Sequence, residues 1–358
     1  MNPGRSLAVV FGGPSTEHEV SLASAQSALE QMRALRWDVL SVGVGKDGRW
    51  HVGPDALAHL VQVADPARLP LSVRRADTEA SDFETFDGPP PVDVFKDVRL
   101  AFPVAHGQWG EDGTLQGLLS CYGLRFVGVD LTGSAVCFDK RLTKIVLAAA
   151  GVPVTPSHHV TMDAWTSRQP DVLAAIHENL GGGLWFVKPN RGGSSIGTVG
   201  PVPGDGLARA VDEALRYDRE VLVEQFIPHR ELMVGVMRGE DLLISSPLES
   251  IPQDGILDFD AKYRRSSIHF PAPSDLSAGQ FAEIHRLTAA TVHALGCGNL
   301  CRVDFFLDSR TGELLVNEVN TVPGLTARSA FSQLMGTRGL SYADVLTQLC
   351  DHAEGRGR

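Results

Sequence analysis

The sequence predicts an α/β protein that opens as half of an open α/β sheet and carries an antiparallel hairpin towards its other end. Three observations carry this. SLAVVFG is an apolar run of strand length, followed by a glycine turn and by apolar residues at helical spacing, Leu22, Ala25, Leu29 and Met32. WDVLSVGV and VRLAFPV repeat the strand pattern further along. CRVDFFLD and LLVNEVN alternate apolar and polar residues across a short glycine-containing connection, the signature of a hairpin.

The elements between follow in order. Residues 75–91 are acidic and proline-rich and read as an exposed excursion with no chemistry. VRLAFPV runs into HGQWGEDGTLQG, where Thr114 is expected to cap the next helix. LRFVGV reads as a strand. DKRLTKIVLAAAGVPVTP reads as a helix stopped at Gly151, with Pro153 behind it. LWFV is a strand that ends in KPNRGGSSIG; a helix through GLARAVDEALRYD and the strand EVLVEQFI come next. ELMVGVMRGEDLLISS reads as a hairpin, and residues 249–270 as a polar loop long enough to be functional. A helix capped near Ser277 carries Phe281, Ile284, Leu287, Thr291 and Leu295.

Length and charge narrow the class. The 358 residues suffice for two or three domains. A formal net charge of −11 argues against nucleic acid or an anionic membrane as the main partner, since both require a cationic surface. A small anion held by a local cluster of cations remains open. No apolar run reaches the length of a membrane span, and LAVVF is too short for a signal peptide. Cys121, Cys137, Cys297, Cys301 and Cys350 are odd in number and form no CxxC pair, which fits a reducing cytoplasm; CGNLC reads as core packing. Lysine is confined to Lys46, Lys96, Lys140, Lys144, Lys188 and Lys262 in a chain that otherwise uses arginine. This points either to places that require a compact point charge or to codon bias.

Two stretches carry chemistry. Strand alternation puts Arg302 with Asp304, and Glu318 with Asn320, on common faces, so a hairpin brings the four together. Two carboxylates and an amide oxygen are hard ligands of the kind Mg²⁺ takes beside substrate phosphates. The same alternation also suits a solvated polar face. NTVPG follows at once, with Pro323 and Gly324 leaving backbone N–H groups where an anion could sit. In KPNRGGSSIG, Lys188 closes a strand and precedes the glycines, the reverse of Walker A order. Gly192, Gly193 and Gly197 free the backbone, and Ser194 and Ser195 add hydroxyls. Such a loop suits a lid folded over phosphates, or a glycine-rich surface turn.

GGPSTEHEVSLASA, HGQWGEDGTLQG, FDK, FVKPNRGGSSIG, DAKY, RVDFF and NEVNTVPGLT occur in the order found in D-alanine–D-alanine ligases, and residues 7 to 345 resemble that family. The resemblance implies the ATP-grasp fold, with a Rossmann-like pre-ATP-grasp domain over 1–135, a central ATP-grasp lid over 136–223 and a catalytic domain over 224–358. It implies ATP with Mg²⁺ (Mn²⁺ as a substitute), D-alanine as substrate, a homodimer and a cytoplasmic role in peptidoglycan precursor synthesis. The implied reaction runs through an acyl phosphate. The first D-alanine carboxylate attacks the γ-phosphate, and the amine of the second attacks the acyl phosphate.

The resemblance also implies roles residue by residue. Lys140, Lys188 and Ser195 match nucleotide contacts, the two lysines at phosphates, and Lys262 matches one that reaches the γ-phosphate. Glu224 and the backbone of Ile227 match adenine contacts, and Glu231 the ribose carboxylate. Asp304, Glu318 and Asn320 match metal ligands. Glu17 matches the acceptor of the first substrate's ammonium; Ser194 and Tyr263 match its partners that tie the loops shut. Arg302 and the N–H of Gly324 match the oxyanion hole, and Ser329 with Gly324 the contacts to the second carboxylate. His106 lies in a matching motif on the substrate side. On the residues alone, Glu224 reads as an edge-strand glutamate and Glu17 as a helix-start carboxylate favoured by the macrodipole. The remaining lysines, Lys46, Lys96 and Lys144, take no role.

The chain departs from the pattern at Ala330, where the family usually has leucine near the second substrate's side chain, and at Gln333, near a common proline. A smaller residue widens that subsite, so a D-alanine–D-X ligase, with D-serine as one acceptor, is the alternative. DAKY speaks against a depsipeptide-forming ligase. The full set Arg302, Asp304, Glu318 and Asn320 speaks against a catalytically silent nucleotide sensor, and Ser329 with Gly324 against a carboxylate kinase.

Overall fold

The computed structural model describes residues 6–74, 79–239, 241–252 and 268–355. Its first sheet comprises β1 (Ser6–Gly12), β2 (Asp38–Val44), β3 (Trp50–Val52), β4 (Glu84–Phe86), β5 (Leu100–Pro103) and β6 (Arg125–Phe126), in the order β4-β3-β2-β1-β5-β6. β1 is central and pairs in parallel with β2 and β5. Its alternation feeds two cores: Leu7, Val9 and Phe11 pack on one face, Ala8 and Val10 on the other. Helix α1 (His18–Ala34) follows β1 and buries Leu22, Ala25, Leu29 and Met32 as the spacing predicts. α2 (Ala56–Val63) and α3 (Thr114–Cys121) complete this layer.

One local expectation changes here, and another gains detail. Thr114 is the first residue of α3 and not its cap; Gly113 precedes it with φ +91°, and Asp112 Oδ1 accepts the Thr114 N–H at 2.9 Å. Part of the acidic excursion is ordered, because Glu84–Phe86 pairs with β3 and Asp55 accepts the N–H groups of Ser81 and Asp82. Residues 75–78 lie outside the described residues.

Helices α4 (Leu131–Phe138) and α5 (Lys140–Ala149) follow, capped by Asp130 and Asp139, whose side chains accept from Gly133 and Leu142 N–H. α5 stops before Gly151, at φ +72°. The second sheet comprises β7 (Ser157–Thr161), β8 (Trp185–Pro189), β9 (Val199–Val202) and β10 (Glu220–Gln225), in the order β7-β10-β8-β9. It is covered by α6 (Met162–Leu180), bent at Arg168 ahead of Pro170, and by α7 (Gly204–Ala214). Trp165, Ile176, Trp185, Val187, Leu207 and Val211 form its own core.

The third sheet has β11 (His229–Arg238), β12 (Leu242–Ile244) and β13 (Leu248–Glu249), then β16 (Leu300–Asp308) and β17 (Leu314–Asn320). The short pair β14 (Ile251–Pro252) and β15 (Ile268–His269) stands apart from it. Helix α8 (Ala278–Leu295) opens with a capping box between Ser277 and Gln280 and packs Ile284, Leu287 and Leu295 into the third core. Cys137, Leu147, Cys297 and Cys301 share that core, so α4 and α5 serve the third sheet. Helices α9 (Ala330–Gly336) and α10 (Tyr342–Ala353) instead send Phe331, Met335, Leu346 and Leu349 into a core of the first sheet. The chain's last helices thus join the first and third units. Among the described residues no helix is long and apolar enough to cross a membrane.

Candidate active site

A cleft of about 1240 Å³ is walled by all three units: the loops after β1 and β5, the second sheet with its glycine loop, and the third sheet. The loops of the first sheet that reach it, after β1 and β5, leave the carboxyl ends of parallel strands, where open sheets bind ligands.

The hairpin supplies one wall. Register pairs Arg302 with Asn320 and Asp304 with Glu318, while Cys301, Val303 and Phe305 turn into the core. Arg302 grips Asp304 through two hydrogen bonds, Nε to Oδ1 at 2.7 Å and Nη2 to Oδ2 at 2.6 Å. Asn320 Nδ2 also donates to Asp304 Oδ2, at 3.0 Å. Burial raises the Asp304 carboxyl, Arg302 opposes this, and the nearby charge of Glu318 adds to it. A site that crowds two carboxylates in this way fits a divalent cation by its donor chemistry. Between Asp304 and Phe305 the register shifts, leaving Asn317 as an extra residue opposite the partner strand. The bulge turns Asn317 towards the cleft, where Lys188 Nζ donates to its Oδ1 at 3.2 Å.

The opposite wall is the loop after β8. Gly192 has φ +147° and Gly197 +73°, and the serines between them are also left-handed, Ser194 at +50° and Ser195 at +58°. The loop comes down on Glu17: the Ser194 hydroxyl donates to Glu17 Oε1. Gly193 lies so close that a Cβ there would stand 2.5 Å from Glu17 Oε2. Glu17 itself stands at the N-terminal boundary of α1 and is buried; its N–H donates to Ser15 Oγ at 3.0 Å, and its side chain makes no capping bond to the helix.

The cations sit between these walls. Lys188 Nζ lies 2.7 Å from Glu224 Oε2. Lys140 Nζ donates to Gly192 O at 2.5 Å; burial pushes its ammonium down, against the raising effect of Glu318. Lys140 is placed by Asn190, whose backbone and side-chain oxygens accept the Lys140 and Arg141 N–H groups at 3.1 and 2.9 Å. Further along the cleft, Glu224, Ile227 and Glu231 line a stretch with Phe186 and Phe306. At the other end Gly324 and Ser329 are neighbours, Ser195 and His106 also face the cavity, and Ala330 stands beside Ser329. The His106 ring is buried against Ser24 Oγ at 2.8 Å, and burial lowers its pKa to about 4.

Every candidate site residue within the described residues therefore lines one cavity. Lys262 and Tyr263 lie outside the described residues. Residues 6–129 match the family model described as the D-ala D-ala ligase N-terminus, and residues 146–351 match the one described as the C-terminus. The chain belongs to the D-alanine–D-alanine ligase family. Similar proteins include the D-alanine–D-alanine ligase of Sodalis glossinidius, 38% identical over 98% of this chain and 96% of that one. That of Heliobacterium modesticaldum is 34% identical over 99% and 96%. Among solved structures, the VanG D-Ala:D-Ser ligase from Enterococcus faecalis is 30% identical with a TM-score of 0.80, over 98% of this chain and 99% of that one. The D-alanine-D-alanine ligase from Coxiella burnetii is 28% identical with a TM-score of 0.76, over 99% and 94%. The family's fold is ATP-grasp, as expected.

Sequence reasoning passed over several residues of this ligase-family site. The sequence pattern assigns Lys144 no role, yet it is buried 2.8 Å from Glu224 Oε1. Glu111, inside HGQWGEDG, accepts the N–H of Gly107 at 2.7 Å and that of Val322 at 3.1 Å, so it ties the loop after β5 to the NTVPG loop. Burial, and then the charge of Glu17, push its carboxyl up to about 8. Asn317 depended on a bulge that alternation cannot foretell. Only Glu111 left a signal, a carboxylate among glycines in a motif already singled out.

Proposed function

We propose that this chain joins two D-alanines into D-alanyl-D-alanine with ATP, for peptidoglycan precursor synthesis. The observation that carries this is the pairing of Glu17, beneath the serine–glycine loop, with the Arg302–Asp304–Glu318–Asn320 face in one cleft. Glu17 receives the ammonium of the first D-alanine and Ser194 fixes the carboxylate that does so. Lys140 and Lys188 draw the phosphates in and offset the repulsion between a carboxylate and a triphosphate. Lys262, from the segment outside the described residues, adds a cation at the γ-phosphate. Asp304, Glu318 and the Asn320 amide would hold Mg²⁺, or Mn²⁺, which when bound supplies charge neutralisation at the transferring phosphoryl group. Ser195, Ile227, Glu224 and Glu231 hold the nucleotide along its length.

After acyl-phosphate formation, Gly324 and Ser329 place the second D-alanine's carboxylate, and Arg302 with the Gly324 N–H stabilises the oxyanion as the amine attacks. One such donor is worth about 10²–10³ in rate. The loop and Tyr263 exclude water, which would otherwise hydrolyse the acyl phosphate. His106 borders the substrate end. We assign the working units to residues 1–135, 136–223 and 224–358, with α4 and α5 packed on the third, and the assembly to a cytoplasmic homodimer.

The test is ATP-dependent phosphate release with a panel of D- and L-amino acids and D-lactate, with the product identified by mass. D-Alanyl-D-alanine should dominate; phosphate release without any dipeptide would overturn the reading. A D-serine acceptor is the second reading, favoured by the small Ala330 on the cleft wall.

A further inference from the structure

Lys144 lies one helical turn after Lys140 on α5 and is buried. Its ammonium is 2.8 Å from Glu224 Oε1 and donates to Thr155 O at 2.9 Å. Glu224 Oε2 faces the second ammonium, Lys188 Nζ, at 2.7 Å. One buried carboxylate is therefore divided between two lysines. Lys188 and Glu224 line the cleft, whereas Lys144 is not part of its wall.

The charges decide what the cleft presents. Lys188 with Glu224 alone sum to zero; with Lys144 the three sum to +1. At these separations and in a partly desolvated site, one uncancelled charge governs how well an anion is held. Burial lowers the Lys144 ammonium, and the charge of Glu224 beside it opposes that and favours the charged form, with the Thr155 carbonyl oxygen as a further acceptor. Glu224 stays ionised: burial would raise its carboxyl, but Lys144 and Lys188 together hold it down at about 2.

We propose that Lys144 is a positioning residue for nucleotide binding: by occupying one oxygen of Glu224 it leaves Lys188 as an uncancelled cation for a phosphate group. The inference rests on the nucleotide reading of the cleft and extends it to a side chain that touches no substrate.

The experiment is calorimetric titration of the full-length protein, free of amino-acid substrate, with ADP and with adenosine. In Lys144→Met the ADP dissociation constant should rise about tenfold or more, the scale of a lost charge-assisted contact, while adenosine binding is unchanged. Lys144→Arg should stay near wild type. The double variant Lys144→Met/Glu224→Gln restores the net charge and should recover the ratio of ADP to adenosine affinity, a result that lost packing cannot produce. Unchanged ADP affinity in Lys144→Met overturns the proposal. An equal loss of ADP and adenosine overturns it too, because Lys144 would then act on the base or on the fold. A wild-type protein that binds no ADP instead removes the nucleotide reading itself. Thermal melts identify any variant that is not folded, and the Arg and double variants then carry the test.

Discussion

The two walls of the cleft are built from different material. The β16–β17 wall is made of side chains, aimed by strand register and locked by the Arg302–Asp304–Asn320 hydrogen bonds. The loop after β8 is made of backbone, brought onto Glu17 by glycines and by two adjacent serines held left-handed. Each such non-glycine residue costs on the order of 1 kcal/mol or more, and strain of this kind persists where surrounding contacts over-determine it. The Ser194–Glu17 hydrogen bond is one such contact. A side-chain wall should therefore fail when a functional group is exchanged, and a backbone wall when a group is added.

The largest effect tests the first half of that contrast. Asp304→Asn keeps size and shape but removes the charge that faces Arg302 and, on the proposed reading, the cation. Turnover should fall by at least about 10²-fold, the scale of losing one preorganised electrostatic group. Steady-state phosphate release at ordinary Mg²⁺ checks it, and near-normal turnover would refute the metal role.

Gly193→Ala tests the other half. The new Cβ would stand 2.5 Å from Glu17 Oε2, so either the loop lifts or the carboxylate moves. The KM for the first D-alanine should rise roughly tenfold, as for one lost hydrogen bond to a charged group, with a smaller change for ATP. Equal changes in both constants would mean that the loop serves the nucleotide and not Glu17.

A third test asks what ties the side-chain wall to the first unit. Glu111 spans the β5 and NTVPG loops, and its carboxyl is raised to about 8 by burial and by Glu17. A raised folded-state pKa means the native state binds the extra proton. The contribution is fully present below the ordinary value of 4.5 and is lost as pH rises through about 8. His106, lowered to about 4, works in the opposite sense below its ordinary 6.5, so the range from 6.5 to 8 is the cleaner one. There stability should fall with pH by at most about 1.4 kcal/mol per unit, and Glu111→Gln should flatten that slope. Denaturant midpoints across the range measure it; parallel slopes in both proteins would remove Glu111 as the cause.

The same contrast explains what the sequence made legible. Hairpin and helix assignments rested on period, and period is local: Leu22, Ala25, Leu29 and Met32 fell on the buried side of α1 without any tertiary knowledge. The approach of Arg302 to Asp304 followed from alternation alone. The family motifs brought in Glu17 and Ser194, whose contact spans the chain from one unit to another and has no local signature. Lys144 and Asn317 escaped because each depends on something nonlocal, a shared carboxylate in one case and a register slip in the other. Thr114 has the residue type of a cap, but the left-handed Gly113 and the acceptor Asp112 do that work.

The smallest expected effect lies where the cleft wall is neither strained backbone nor charged side chain. Ala330 opens α9 beside Ser329 and packs near Met233, Leu248, Leu334 and Phe270. Its neighbours are apolar and unchanged by protonation, so only volume is at stake. Ala330→Leu would extend into the cavity and select acceptors by size. A hydrophobic pocket discriminates weakly against an added hydroxyl, so D-serine should be affected less than larger D-amino acids. The preference for D-alanine over D-valine should sharpen roughly tenfold, the lower range for a change in apolar pocket volume. Competition between acceptors, read from dipeptide masses, measures it. An identical acceptor profile in the variant would mean that the second side chain sits away from Ala330 and that the departure at this position carries no specificity.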